Sequence, residues 1–109
     1  MSDTLQHGFA TRAIHLGYDP LDEQGALSPP LYLTSTYTQD SIEAFDRIRL
    51  GEQPGYVYGR TRNPTQALLE ERLASLEGAE AAVVTASGMA AISATLLSLL
   101  QSGDEIVVD

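Results

Sequence analysis

Cysteine is absent from the 109 residues, so disulfides, thiolate nucleophiles and cysteine-ligated metals are excluded within this chain. Lysine is absent too, which leaves all positive charge to six arginines, Arg12, Arg47, Arg49, Arg60, Arg62 and Arg72. Against them stand fifteen acidic residues, for a formal charge of -9, a balance that disfavours nucleic acid and anionic membrane surfaces as general partners. Any anion must therefore be captured locally. No apolar run is long enough to span a membrane, and the start "MSDTLQHGFA" lacks the basic residues and apolar stretch of a secretory signal, so the cytoplasm is the expected compartment. His7 and His15 are the only imidazoles, eight residues apart in a polar segment, and are read as ordinary surface or interface residues rather than metal ligands.

What is present fits a globular chain or a piece of one: 43% of residues are hydrophobic and 6% aromatic, with length for one small domain and no room for a second. Residues 1 to about 38 carry Gly8, Gly17, Pro20, Gly25, Pro29 and Pro30 without a sustained period, which predicts an extended arm. Its Leu27, Leu31, Tyr32, Leu33 and Tyr37 need a surface to lie on. Asp40 followed by Glu43 has capping-box character and predicts a short helix ending near Gly51. Asn63-Pro64 predicts an N-cap and first turn, with Leu69, Leu73 and Leu76 as a buried face, Glu70 and Glu71 outside, and Gly78 as the stop. Residues 80–86 read as a strand, 89–101 as a helix and 105–109 as a second strand, a βαβ pattern of a parallel α/β sheet.

Between the first strand and its helix lies "TASGMAAISA". A helix N-terminus at the carboxyl edge of such a sheet offers free amides, here around Gly88, Met89 and Ala90, and a dipole that favours an anion. Gly88 either lets a ligand approach the backbone or permits tight packing of helix on strand, and the turn alone does not separate the two. It is neither the dinucleotide fingerprint nor the lysine-containing P-loop. The stretch "YVYGRTRNPT" adds the Tyr58 hydroxyl and the Arg60 guanidinium, a planar fork suited to phosphate, although an arginine pair in a loop is as readily a solvated one.

Together, "FATRAIHLGYDP", "GALSPPLYLTSTYT", "YGRTRNPT", "LASLEGAEAAVVTASGMAAI" and "GDEIVV" resemble, in order and spacing, the pyridoxal-phosphate (PLP) enzymes of cysteine and methionine metabolism. The resemblance implies an arm and interface segment over residues 1–62 and, over 63–109, the start of the large domain of the aspartate aminotransferase-like (type I) transferase fold. It also implies a homotetramer, a dimer of dimers. Tyr58, Gly59 and Arg60 would then reach the cofactor phosphate of a neighbouring subunit, while Gly88 and Met89 bind the phosphate in their own. The first of these stretches is most similar to methionine gamma-lyases, which implies elimination from methionine to methanethiol, 2-oxobutanoate and ammonia. Cystathionine gamma-lyase or gamma-synthase and O-acetylhomoserine sulfhydrylase chemistry are the alternatives, and a non-catalytic interaction module is the alternative of another class.

Family chemistry needs a lysine to hold PLP covalently and move protons, so the resemblance implies no catalytic residue among these 109, which read as the N-terminal part of a longer enzyme. The isolated chain is accordingly expected to show neither the absorbance of lysine-bound PLP nor release of methanethiol from methionine. Either signal from the purified chain would overturn this assignment.

Overall fold

The computed structural model describes residues 7–108, which form four α-helices in the order α1 (Phe9–His15), α2 (Ile42–Arg49), α3 (Pro64–Glu77) and α4 (Gly88–Leu99), with a 3-10 turn at Pro20–Glu23. The helix ends follow local chemistry. At α3, Asn63 Oδ1 accepts from Thr65 N at 2.9 Å and Pro64 takes the first turn, where a missing N–H costs nothing. Gly78 ends α3 at φ +67, the left-handed conformation that glycine adopts without penalty. The cap of α2 is Ser41, whose Oγ accepts from Ala44 N at 3.1 Å, rather than Asp40. The helix α4 starts behind Ser87, whose Oγ accepts from Ala90 N at 3.1 Å, and stops at Leu99, two residues before the expected end.

Two expectations for the arm and sheet need correction. The arm is not extended throughout, because residues 9–15 form α1. Seven residues are too few to hold a helix alone, and α1 is instead fixed on α3 from both sides. Arg12 Nη1 donates to the Ser75 carbonyl and, at 3.0 Å, to Ser75 Oγ, while Arg72 Nε donates to the Leu16 carbonyl at 2.9 Å. Gly17 follows at φ +72, where a Cβ would meet Leu68 Cδ1 at 3.0 Å, so the chain turns along α3 only because this position has no side chain.

The second correction concerns the βαβ pattern, since neither 80–86 nor the described part of 105–109 carries a ladder. Among the described residues the one β-bridge is antiparallel and isolated, between Thr36 and Tyr58. A strand exists through its neighbours, and these two runs find none here. The backbone of Val84 is engaged by side chains instead. Glu70, expected on the outer face, turns inward so that its Oε1 accepts from Val84 N at 3.0 Å, and Gln66 Nε2 donates to the Val84 carbonyl at 3.4 Å.

The rest of the arm crosses the head of α3. Asn63 Nδ2 donates to the Tyr32 carbonyl at 2.9 Å and to the Tyr37 hydroxyl at 3.2 Å, and Tyr32 N donates to Thr65 Oγ1 at 3.0 Å. The Tyr32 hydroxyl donates to Glu23 Oε1 at 2.7 Å, and this bond to a carboxylate, with some desolvation, raises its pKa above the usual tyrosine value.

Apolar burial is sparse. Ala74, 8% exposed, is the one buried hydrophobic residue among those described, whereas Leu69 and Leu73, expected to be buried, are 45% and 39% exposed. The accessible surface of 9083 Å² exceeds the roughly 5,900 Å² of a compact monomer of this mass. The radius of gyration, 17.2 Å, likewise exceeds the ~13 Å of a compact domain this long. With so little apolar surface removed from water, the isolated chain is expected to melt broadly, without a cooperative transition. A sharp calorimetric transition from a monodisperse monomer would contradict this.

Candidate anion-binding site

The loop between α2 and α3 folds on the carbonyl of Tyr58, which accepts from Thr61 N at 2.9 Å, Thr61 Oγ1 at 2.7 Å and Arg62 N at 3.2 Å. Its backbone is tied to the arm by Gly59 N donating to the Ser35 carbonyl at 2.7 Å and Tyr37 N donating to the Val57 carbonyl at 3.2 Å. Gln39 Nε2 adds a bond to the Tyr56 carbonyl at 2.8 Å, and the rings of Tyr37 and Tyr56 lie 5.6 Å apart. Gly59 fits this approach because a Cβ there would stand 3.3 Å from the Thr34 carbonyl oxygen, so any larger residue would push the arm away.

This frame sets Arg60. Its guanidinium lies over the Tyr58 ring, 4.9 Å from the centroid, an arrangement in which the ring quadrupole attracts the cation and leaves its edge N–H groups open. Among the described residues no carboxylate lies within ion-pair reach of Arg60; the ion pair found there joins Arg49 and Asp46 at 3.4 Å. An exposed arginine without a carboxylate, in a chain of charge -9, is available to an anion. Arg62, two residues on, is among the residues lining a cleft of about 470 Å³ between the arm and α3, together with Tyr32, Thr65 and Glu70.

The second cluster is the head of α4. Ala90, expected to offer a free amide, has its N–H taken by Ser87 Oγ. The amides of Gly88 and Met89 have no acceptor in the helix, as the first positions of any helix do not. A Cβ at Gly88 would meet nothing within 4 Å among the described residues, so the approach to these amides is open there. Two unengaged amides, an approach free of side chain and the positive end of a helix dipole are features suited to an anion.

No hydrogen bond joins the Tyr58–Arg62 loop to the head of α4 among the described residues. The five residues singled out from sequence thus occupy two separate clusters within one chain. Sequence reasoning missed Gln66 and Glu70; their spacing of four on α3 was a signal, but one that a solvated helix face gives equally. No three or more His, Cys, Asp or Glu side chains among the described residues are grouped to hold a metal, and no helix there is long and apolar enough to cross a membrane.

Comparison with known proteins finds relatives along nearly the whole chain. The profile of the Cys/Met metabolism PLP-dependent enzyme family matches residues 10–109. L-methionine gamma-lyase of Pseudomonas putida is 55% identical over 93% of this chain and 25% of its own length. A probable cystathionine gamma-synthase of Herpetosiphon aurantiacus is 46% identical over 94% of this chain and 30% of its own. The crystal structure of a putative O-acetylhomoserine (thiol)-lyase from Campylobacter jejuni superposes with a TM-score of 0.81 at 34% identity, covering 90% of this chain and 24% of that one, and carries a pyridoxyl-phosphate-modified lysine. The chain spans about a quarter of the length of the curated relatives it matches.

Proposed function

The chain belongs to the Cys/Met metabolism PLP-dependent enzyme family, and from that premise we propose that it supplies the phosphate-binding elements of a PLP-dependent lyase of sulfur amino acids that eliminates methanethiol from methionine. The observation that carries this reading is the Arg60 guanidinium, held over Tyr58 with no carboxylate partner among the described residues. The unengaged amides of Gly88 and Met89 support it. Both clusters fit a phosphate dianion, and their separation within one chain suits a site shared between two subunits, in a tetramer built as a dimer of dimers. Residues 1–62 act as the interface segment and 63–109 as the start of the cofactor-binding domain.

In that assembly Tyr58 Oη and the Arg60 guanidinium donate to the cofactor phosphate of the neighbouring subunit, and the Gly88 and Met89 amides donate to the phosphate in their own. Gly59 keeps the loop against the arm so that Arg60 extends outward. Bound PLP supplies an electron sink for charge developing at the substrate's Cα and Cβ, which permits loss of the γ-substituent. The lysine that holds PLP and moves protons is not supplied by these residues, whose part is retention and orientation. The choice of methionine rests on the 55% identity to the L-methionine gamma-lyase of Pseudomonas putida, against 46% to the probable cystathionine gamma-synthase of Herpetosiphon aurantiacus.

In the complete enzyme, Arg60→Ala is expected to weaken PLP retention well beyond Arg62→Ala, since a charge-assisted hydrogen bond contributes about 1.5–3 kcal/mol. Equal cofactor affinity of the two variants, by absorbance titration of the apoenzyme, would place the phosphate contact elsewhere. For the reaction, kcat/KM compared across methionine, cystathionine and O-acetylhomoserine is expected to be highest for methionine, with methanethiol and 2-oxobutanoate formed in equal amounts. A preference for either other substrate would transfer the chain to that branch of the family.

A further inference from the structure

The two hydrogen bonds that α3 makes to Val84 fall four residues before Gly88. Glu70 Oε1 takes the Val84 N–H at 3.0 Å and the Gln66 Nε2 donor at 2.9 Å, so the carboxylate oxygen is shared between a backbone amide and the side chain one turn earlier. The same Gln66 amide reaches the Val84 carbonyl. A glutamate and glutamine four apart on a helix often pair with each other at the surface. Here the pair also grips both polar groups of one residue in a distant segment, and Glu70 and Val84 are both half-buried.

The stretch from Val84 to α4 has little slack. Thr85 Oγ1 donates to the Ser87 carbonyl at 2.8 Å, and Ser87 Oγ accepts from Ala90 N. Val84 is therefore the last backbone point fixed to another element before the chain enters α4, and three residues carry its position to Gly88. Glu71, the adjacent carboxylate, makes no such contact and lies against Gly17.

Resting on the reading that the head of α4 receives the cofactor phosphate, we propose that Glu70, braced by Gln66, is a positioning residue for that turn. By fixing Val84 it sets the direction in which the Gly88 and Met89 amides point. Glu70 itself touches no phosphate. Its contribution is to affinity for the phosphate group, separate from affinity for the ring of the cofactor.

The test measures binding of PLP and of unphosphorylated pyridoxal to the complete apoenzyme by absorbance, and follows the ratio of the two dissociation constants. Glu70→Ala is expected to narrow that ratio about tenfold, whereas Glu70→Gln, whose amide oxygen still accepts from Val84, holds it within about threefold of the parent. Glu71→Ala, with the same loss of charge on the same helix, leaves it unchanged. Should Glu70→Ala fail to fold, Glu70→Asp keeps the charge but withdraws the acceptor by one methylene, and is expected to narrow the ratio as well. A loss of affinity shared equally by PLP and pyridoxal, or none in either foldable variant, overturns the proposal. Arg60→Ala run alongside separates the two readings. If it narrows the ratio while the Glu70 variants do not, the positioning role alone falls; if neither does, the phosphate-site reading falls and the proposal with it.

Discussion

Asn63 uses every polar atom of its side chain at one crossing. Its oxygen starts α3 by accepting from Thr65 N, and its nitrogen holds the Tyr32 carbonyl and the Tyr37 hydroxyl of the arm. Because Thr65 in turn receives the Tyr32 amide, the arm is latched to the first turn of α3 by both its N–H and its C=O. From that latch the arm runs antiparallel to the loop at Thr36 and Tyr58, and the loop presents Arg60. An amide is the one side chain that can accept and donate in this way within a single plane. The placement of Arg60 therefore descends from a helix cap.

The six arginines divide the remaining work in a chain without lysine. Arg12 and Arg72 direct their guanidinium groups at backbone carbonyls and lock α1 to α3, although one nitrogen of each, Arg12 Nε and Arg72 Nη2, is buried without a partner among the described residues. Arg47 donates to Gln53, and Arg49 sits beside Asp46. Arg60 rests on an aromatic ring, which orders it without neutralising it. What sets Arg60 apart is this ring contact, since Arg12, Arg47, Arg62 and Arg72 also lack a carboxylate partner among the described residues.

What could be read from sequence was whatever is decided within a few residues. Asn63-Pro64 and Gly78 bound α3 as capping rules require, and the "SGM" and "YGR" stretches proved to be a helix head and a tight turn. Ser41 displaced Asp40 as a cap by one residue, which short-range rules resolve poorly because both side chains accept. Elements decided at long range were not legible. The helix α1 is held by arginines that act across 63 and 56 residues, and Glu70 turns inward only because Val84 lies there. The runs 80–86 and 105–109 have strand composition, but pairing is a property of two segments, and composition describes only one.

The grip of α3 on Val84 also bears on solubility. In an extended chain the N–H and C=O of one residue face the same side, and on that side both groups of Val84 are already taken. The run "EAAVVT" is apolar, β-prone and, at Val83, 82% exposed, the kind of segment on which a foreign chain can add itself as a further strand. Side chains from a helix close one of its two edges at the centre. Addition of another molecule as a strand on that edge would first have to displace the Glu70 and Gln66 side chains from Val84.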